Sequence, residues 1–515
     1  MILQFDYTLR ENWPPLAWLA RCPRSDGPVE VWHGRQVEVH PDWFCEAVWD
    51  GAYADGGFDR TDLVFGSGGR RRPDGIHFVT AGTTVDRVQL LDAGDAVWLS
   101  NSLPCLVAAV NATLDPTYPN YFGDFSSIRM GLERYHRTVS TSVGAIRLVY
   151  FHNLRWDGRV LRDTPKVASE RVLDSFHAYR SFLGGALERV AANARDMARR
   201  QPFRLLGTAS SGYDSPAVAT LARQAGLRDV ICFDRANTAE SDGGQEIAAI
   251  LGLNATVVPR DAWRRGALNE VPFLAADAKG EDVFFRSAEE RLGGTVLLTG
   301  FYGDKVWGMR GRALGHDIVR NDQSGLSLSE YRLHVGFLHC PVPFMGARQI
   351  RDVHRISRLS ELTPWDVGGA YSRPISRRLL EEAGVPRRLF GTHKKAASVL
   401  FFDRSTFLSP ESRANYVEWL EKNCPAALAV PKPGPLRRGA VQIARLLDEL
   451  AHAAGDGPGL RGRIAGHLAA WGRWEPLFQW LFPWAVERTV SRYRAAREAR
   501  RRRVSDLKDA PGIQV

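Results

Sequence analysis

The sequence predicts an α/β protein with a parallel, doubly wound sheet in its central region, a β-rich region before it and a helical tail after it. Strand and helix patterns alternate along residues 205–258, at the spacing typical of parallel sheets covered by helices. Short apolar runs between turn residues fill the first 160 residues, and helical periodicity dominates beyond residue 405. These patterns predict domains at 1–165, 166–405 and 406–515.

Antiparallel strands are predicted for the N-terminal region, because its short apolar segments are bounded by Gly, Asp, Asn and Pro. Residues 29–32, 75–81 and 146–151 are examples. Residues 66–72 are rich in glycine and arginine. They lack the spacing of a phosphate-binding loop, so we interpret them as a flexible hairpin tip.

A long helix is predicted between this region and the central sheet. Apolar residues such as Val172, Phe176 and Leu183 recur at helical spacing over residues 169–200, and Ser169 is the predicted N-cap. The helix therefore leads the chain into the α/β region.

Residues 205–216 combine a buried strand, a turn of small residues and the start of a helix. In such a turn, glycine and small hydroxyl residues let backbone N–H groups approach a pyrophosphate, and the helix directs its positive end at it. Asp214 adds a carboxylate that can hold a magnesium ion. The alternative is an ordinary strand-to-helix turn in which the Ser and Asp side chains only cap the helix.

The elements that follow favour a parallel sheet. A helix over 216–226 leads to a strand over 229–234, and a helix over 246–251 leads to a strand over 255–258. Ligands of such sheets bind beyond the carboxyl ends of the strands, where Asp234 would join the turn after the first strand.

Composition and charge argue against several classes of protein. No segment approaches the roughly 18 consecutive apolar residues that span a bilayer, and the start of the chain lacks a basic leader, so we expect a cytoplasmic protein. The six cysteines include no Cys-x-x-Cys pair, which argues against a zinc site or a disulfide framework. The net charge of +10 comes mainly from arginines late in the chain, and we do not expect a nucleic acid partner.

The tail contains two predicted linkers, at residues 430–435 and 455–459, and ends in an unusual segment. Within 471–503, several aromatic and leucine residues are followed by an arginine-rich helix. Such a segment suits peripheral contact with an anionic membrane or with a protein partner. In the alternative that we favour, the aromatic residues pack on the body of the protein and the arginines are solvated.

Three segments, in the same order, resemble the ATP pyrophosphatases that carry a Ser-Gly-Gly-x-Asp-Ser loop, among them asparagine synthetase and β-lactam synthetase. Residues 210–215 are similar to that loop. Residues 297–308 are similar to the family's strand, Ser/Thr-Gly turn and metal-binding aspartate, and residues 384–395 to the segment that ends in a catalytic lysine. The resemblance covers roughly residues 200–400.

The resemblance implies a PP-loop fold, like that of the adenine nucleotide α hydrolases, after an N-terminal domain like the family's Ntn-hydrolase glutaminase. It also implies ATP and Mg²⁺ as cofactors, with Asp214 and Asp304 as metal ligands. Lys394 aligns with the catalytic lysine better than its neighbour Lys395, and both are candidates. The residues implied to surround the nucleotide are Leu206, Gly207, Thr208, Ser210, Ser211, Gly212, Tyr213, Asp214, Ser215, Cys232, Phe233, Asp234, Thr299 and Gly300.

Several positions depart from the family pattern. Lys305 follows the metal-binding aspartate where relatives often have an acid, and Phe301 and Tyr302 replace smaller or acidic residues. These changes argue against conversion of aspartate to asparagine. The family's glutaminase uses an N-terminal cysteine, whereas the first cysteine here is Cys22, so we expect no glutaminase activity.

We therefore expect an ATP-dependent, AMP-forming carbon–nitrogen ligase, similar to asparagine synthetase, that adenylates a carboxylate and transfers it to an amine or ammonia. Its partners would be the small-molecule carboxylate and amine, and we expect a homodimer. Tyr371 or Glu361, on predicted loops at the edge of the pocket, would assist removal of a proton from the amine. Two alternatives stay open: a tRNA-modifying enzyme that uses the same loop, and a non-catalytic, synthetase-like scaffold.

Overall fold

The computed structural model of the chain describes residues 3–167, 171–236, 243–309, 315–320, 322–369, 371–391, 398–399, 407–428, 436, 439, 443 and 480–508. In the last helix it describes side chains as far as Arg494.

The N-terminal region forms a seven-stranded and a six-stranded sheet. Its strands and α-helices are β1 (Phe5–Leu9), β2 (Trp18–Pro23), β3 (Val29–His33), β4 (Glu38–His40), β5 (Trp43–Trp49), β6 (Val64–Arg72), β7 (Gly75–Val79), β8 (Val88–Asp92), β9 (Ala96–Ser100), α1 (Leu103–Ala109), α2 (Tyr121–Ser126), β10 (Thr138–Thr141), β11 (Gly144–Val149), β12 (Asn153–Trp156) and β13 (Leu161–Thr164). The larger sheet has the order β1-β3-β2-β9-β8-β11-β10, and the smaller one has the order β13-β12-β7-β6-β5-β4. Neighbouring strands are antiparallel except for the parallel pair β1 and β3, which confirms a region dominated by antiparallel strands.

A shared apolar core joins these two sheets. The Trp18 ring on β2 contacts the rings of Phe44 on β5 and Phe78 on β7, with centroids 5.2 Å and 6.4 Å apart. Trp18 is fully buried, and its indole N–H donates to Ser67 Oγ on β6 at 3.0 Å. Each sheet therefore covers the apolar face of the other.

Residues 66–72 lie inside the smaller sheet rather than at a hairpin tip. They belong to β6, which pairs with β5 on one side and with β7 on the other. At Gly66 the φ angle is +112°, and a Cβ atom would lie 1.9 Å from the carbonyl oxygen of Glu46. The prediction of a flexible tip is wrong, because glycine is needed here for the close approach of β5.

The long helix between the two regions is α3 (Phe176–Arg195). The predicted start at Ser169 is wrong, because the chain becomes helical only at Phe176. Ser175 caps the helix by accepting the N–H of Ala178 at 3.2 Å. Ser169 itself lies outside the described residues.

The central region contains a five-stranded, all-parallel sheet, which confirms the predicted α/β class. Its strands are β14 (Arg204–Thr208), β15 (Asp229–Phe233), β16 (Asn254–Val258), β17 (Thr295–Thr299) and β18 (Leu338–Pro341). The further helices of the described chain are α4 (Asp214–Ala222), α5 (Gly244–Ile250), α6 (Val271–Asp277), α7 (Glu289–Leu292), α8 (Gly303–Val306), α9 (Leu328–Val335), α10 (Ile350–Ile356), α11 (Pro374–Glu382), α12 (Pro410–Asn423), α13 (Pro425–Leu428) and α14 (Leu481–Lys508). Short 3₁₀ helices cover Phe58–Arg60, Ser127–Met130, Ala262–Arg265, Val283–Ala288, Val342–Phe344, Ala347–Gln349, Ser360–Trp365 and Arg387–Leu389.

The strand order β16-β15-β14-β17-β18 contains a switch point. From β14 the chain proceeds outward through β15 and β16, and it then returns to add β17 and β18 on the other side. Since crossover connections are right-handed, the two halves carry their helices on opposite faces. Between β14 and β17 the connecting loops diverge, and a crevice forms beyond the carboxyl ends of these strands.

The described part of the tail packs on the body of the protein. Phe482 on α14 is buried against Tyr121 on α2, with ring centroids 4.9 Å apart. The indole N–H of Trp484 donates to Asn415 Oδ1 on α12 at 3.0 Å. These aromatic side chains are therefore buried, as in the alternative that the sequence favours.

Other predictions about the tail and the composition have different outcomes. The linkers at 430–435 and 455–459 and the aromatic residues at 471–479 lie outside the described residues. The domain boundaries near residues 165 and 405 stay predictions. All six cysteines are buried thiols. Within the described chain, no helix has the length and apolar character needed to cross a bilayer.

Candidate functional site

A cleft opens at the switch point, beyond the carboxyl ends of β14, β15 and β17. Its volume is about 1030 Å³, counted to its open mouth. The turn after β14 and the start of α4 line one side, and residues 300–304 after β17 line another. Phe233 at the end of β15, two phenylalanines between β16 and β17, and two acidic residues complete the walls. The two segments with the strongest sequence patterns are therefore brought together in one cleft.

The turn after β14 is closed by its own side chains. Ser210 Oγ and Ser215 Oγ are hydrogen-bonded at 2.7 Å, and the N–H of Gly212 donates to Ser210 Oγ at 3.2 Å. Ser211 Oγ is buried and has no hydrogen-bond partner among the described residues. Ser211 is not part of the cleft wall, whereas Ser210, Gly212 and Ser215 line it, so a ligand in the cleft would meet these three residues of the turn.

The N-terminus of α4 faces this cleft. Tyr213 occupies the N-cap position, and its side chain makes no capping hydrogen bond. The first N–H groups of a helix have no acceptor within the helix, and the helix dipole makes this end positive. This helix end therefore favours binding of an anion. It argues against the alternative in which the Ser and Asp side chains of the turn serve only to cap the helix.

The turn after β17 lies directly against the start of α4. At Gly300 a Cβ atom would lie 2.5 Å from the carbonyl carbon of Asp214, and at Gly303 it would lie 2.7 Å from Asp214 Cγ. Only glycine allows this approach, because any larger residue would collide with Asp214. Asp304 follows immediately on α8 and lines the same cleft, so both predicted metal ligands line one cleft.

Arg373 lines the cleft, and its pairing with Asp214 is not predicted from the sequence. Its guanidinium forms an ion pair with Asp214 and lies 5.7 Å from the ring of Tyr213 and 5.2 Å from the ring of Tyr371. Burial opposes this positive charge, but the carboxylates of Asp214 and, more weakly, Asp304 outweigh it and raise the pKa of Arg373. Arg373 thus keeps a positive charge beside both predicted metal ligands.

The two proposed proton acceptors have different positions. Tyr371 lines the cleft, and burial raises the pKa of its phenol to about 12, so it is neutral near pH 7. Glu361 does not line the cleft: it accepts the N–H of Phe176 at 3.0 Å and pairs with Arg378 at 2.9 Å. Glu361 therefore supports the start of α3 rather than the site.

Aromatic rings form the apolar wall of the cleft. Phe233, at the end of β15, contacts Phe284 with ring centroids 4.9 Å apart, and Phe285 contacts Phe301 at 6.3 Å. Such a wall suits a planar, apolar group such as a nucleobase. Phe233 belongs to a strand that the sequence predicts, whereas Phe284 and Phe285 lie in a short 3₁₀ helix without a recognisable motif.

Two acidic side chains line the cleft together with these rings. Asp282 and Asp322 both line the cleft. Asp282 is almost completely buried, and burial raises the pKa of its carboxyl group to about 7. No sequence signal identified either residue, since isolated acids outside a motif are common.

Most of the remaining residues that were predicted to surround the nucleotide do not line the cleft. Cys232 is buried within β15, and Thr299 is buried with Oγ1 2.9 Å from His339 Nε2. Asp234 accepts the N–H of Arg260 at 2.8 Å and is not part of the cleft wall. Leu206 and Gly207 are buried in β14 and are likewise not part of the wall, whereas Thr208, at its end, lines the cleft. The candidate lysines Lys394 and Lys395 lie outside the described residues.

Magnesium would need ligands from a bound phosphate as well as from the protein. Within the described ranges, no group of three or more His, Cys, Asp or Glu side chains forms a ready-made metal centre. Asp214 and Asp304 supply carboxylate oxygens, which magnesium prefers, and this ion commonly completes its shell with water and phosphate oxygens. The two carboxylates therefore fit a metal that arrives with a nucleotide.

Comparison with known proteins assigns no family. No protein-family model matches the chain, and no curated protein matches it. A proposal about function therefore depends on the chemistry of the cleft.

Proposed function

We propose that this protein is an ATP-dependent, AMP-forming ligase that adenylates a carboxylate and transfers it to an amine or ammonia. The observation that carries the proposal is the cleft at the switch point, which joins the N-terminus of α4 to Asp214 and Asp304. Nucleotide phosphates suit this combination, because the helix end attracts anions and paired carboxylates bind magnesium.

In the first half-reaction, a carboxylate oxygen of the substrate attacks the α-phosphorus of ATP. The bond from that phosphorus to the bridging oxygen breaks, and pyrophosphate leaves with the electron pair. The N–H groups at the start of α4 would hold the leaving group. Magnesium held by Asp214 and Asp304 would neutralise charge on the phosphate oxygens. Arg373 would place a further positive charge beside the same oxygens.

In the second half-reaction, an amine attacks the acyl carbon of the acyl adenylate. The C–N bond forms, the C–O bond to the phosphate breaks, and AMP leaves while the amine loses a proton. By the family resemblance, Lys394 or Lys395 would stabilise the negative charge that develops during this step. The aromatic wall of Phe233 and Phe284 would hold the adenine ring.

The test combines nucleotide binding with exchange of labelled pyrophosphate into ATP. We expect the full-length protein to bind ATP in a magnesium-dependent manner and to catalyse exchange with at least one member of a broad panel of carboxylic acids. Asp214→Asn and Asp304→Asn should each lower the exchange rate by about 100-fold, because each removes a metal ligand. Asp352→Asn is the matched control, since Asp352 pairs with Arg355 on the surface of α10 at 3.1 Å.

Absence of both ATP binding and exchange would overturn the proposal. Equal exchange by the Asp214→Asn and Asp352→Asn variants would overturn the metal-binding role of Asp214. A non-catalytic scaffold would keep its biological activity in the Asp214→Asn variant, whereas a ligase would lose it. Exchange that requires tRNA as the acceptor would favour the RNA-modifying alternative.

A further inference from the structure

We propose that the part of the cleft lined by Asp282 and Asp322 binds a cationic nitrogen of the substrate, an ammonium or a guanidinium group. This inference rests on the proposed ligase function, because it names the substrate class for the part of the cleft that the nucleotide does not need. The substrate would be a carboxylic acid or amine that presents a positive charge to these two carboxylates.

Asp282 has a carboxylate oxygen that lacks a partner. Its Oδ2 accepts the hydroxyl of Ser327 at 2.6 Å and the N–H of Gly325 at 2.9 Å. Its Oδ1 is buried and has no hydrogen-bond partner among the described residues. A buried carboxylate oxygen without a donor costs free energy, and the same residue lines the cleft. A ligand donor in the cleft would remove this cost.

The charges around Asp282 favour a positively charged donor. The buried acids Asp277 and Glu281 lie close enough to disfavour a further negative charge there. Lys279 is ion-paired with Glu281, and Arg320 lies 3.6 Å from Asp322, so both of these cations have acidic partners. Arg129 is a third cation that acts on Glu281, so the four acids of this group face three cations, and a positively charged donor would balance the fourth acid.

The cleft is lined by groups of opposite charge, which distinguishes this site from the proposed nucleotide site. At α4 the helix N-terminus attracts phosphates, whereas Asp282 and Asp322 would repel them. The rings of Phe285 and Phe301 line the same cleft. A molecule with an apolar body, an anionic group toward the nucleotide and a cationic nitrogen toward Asp282 matches this distribution.

The experiment measures equilibrium binding of matched pairs of small molecules to the full-length protein, in EDTA and without nucleotide. The pairs are γ-guanidinobutyrate and γ-ureidobutyrate, ε-aminocaproate and caproate, and phenylalanine and phenylpropanoate. Within each pair only one member carries a cationic nitrogen, and the pairs place it at different distances from the carboxylate. We expect at least one cationic member to bind about tenfold more tightly than its neutral partner, as for a charge-assisted hydrogen bond to a buried acid.

Two variants connect that preference to the site. Asp282→Asn and Asp322→Asn should each abolish most of the tenfold preference, whereas Asp352→Asn should retain it. The Asp322→Asn variant provides the independent test, because it leaves the buried carboxyl group of Asp282 in place and the side chain of Asp322 is 41% exposed. Circular dichroism and thermal unfolding check that each variant is folded.

Equal binding of all pairs, no binding of any probe, or a preference that survives in both variants would overturn the inference. These outcomes are distinct from failure of the proposed function, which is decided by ATP binding and pyrophosphate exchange. A protein that binds ATP but shows no cation preference would remain a ligase candidate with another substrate class. A protein with the cation preference but without ATP binding would retain this site and lose the ligase proposal.

Discussion

The Asp214 carboxylate is ion-paired with Arg373 and is also a proposed magnesium ligand. An ionised carboxylate has two oxygens and several lone pairs, so it can accept a guanidinium and a metal at the same time. Magnesium can also displace the guanidinium toward the phosphate oxygens. In both arrangements the phosphates of a bound nucleotide would meet two positive charges, the magnesium ion and the Arg373 guanidinium.

Asp282 makes the stability of the fold depend on pH. Burial raises the pKa of this carboxyl group from its ordinary 3.8 to about 7, so the folded protein retains a proton that the unfolded chain releases near pH 4. The folded state therefore loses stability as the pH rises from about 4 to about 7. Asp282→Asn removes this titration, and the variant should gain stability over the wild type at about pH 8 and much less at about pH 4.

Urea denaturation of the wild type and the Asp282→Asn variant at these two pH values measures the difference. Other groups titrate equally in both proteins, so their effects cancel when the two are compared. The same gain at both pH values would contradict the raised pKa of Asp282.

At the scale of elements, the turn between β17 and α8 holds Asp304 beside α4. In the Gly300→Ala variant the new Cβ atom would lie 2.5 Å from the carbonyl carbon of Asp214, so the turn must move away from α4. We expect ATP binding to weaken by about tenfold and the free energy of unfolding to fall by about 1–3 kcal/mol, as in other overpacked sites. Calorimetry and urea denaturation measure the two effects.

Gly184→Ala is the matched control for this glycine substitution. Gly184 lies within α3, where a Cβ atom would meet nothing within 4 Å. Alanine is a better helix former than glycine, so this variant should be more stable than the wild type by up to about 1 kcal/mol, with unchanged ATP binding. Equal losses in the two variants would contradict the steric argument at Gly300.

The elements that build the cleft could be predicted from the sequence because each is encoded locally. The apolar run and the small-residue turn of residues 205–216 specify β14, its turn and α4 within a dozen positions. Asp214 and Asp304 belong to such local patterns, and the structure brings both to the cleft. The alternation of strand and helix along the sequence also predicts that the strands of this sheet run parallel.

The rest of the site could not be predicted, because it is assembled by long-range contacts. Arg373 meets Asp214 across a separation of 159 residues. Asp282 acquires its buried setting from Ser327 and Gly325, which no periodicity links to it. The glycines of β6 illustrate the opposite error: their composition resembles a loop, and only the pairing with β5 explains why they must be small.

At the scale of the whole molecule, a buried ionic cluster joins the N-terminal sheets to the parallel-sheet region. Arg332 on α9 donates to Glu46 on β5 at 2.6 Å and to Asp86 at 2.8 Å. Glu46 also accepts the hydroxyl of Ser67 at 2.6 Å and the amide N–H of Asn101 at 3.2 Å. Burial opposes the positive charge of Arg332, but the two carboxylates outweigh it and raise its pKa. Each region therefore contributes buried charges that are neutralised by charges from the other region.

Arg332→Met should lower the free energy of unfolding by about 3–5 kcal/mol, because it leaves Glu46 and Asp86 buried without their cation. Urea denaturation followed by tryptophan fluorescence measures this loss. Arg355→Met is the matched control: Arg355 pairs with Asp352 at the surface, and exposed pairs contribute less than about 1 kcal/mol. If the cluster joins the two regions, the Arg332→Met variant should also lose ATP binding at lower urea, although residue 332 does not line the cleft. Losses of equal size in the two variants would show instead that the contact between the regions depends on their apolar surfaces.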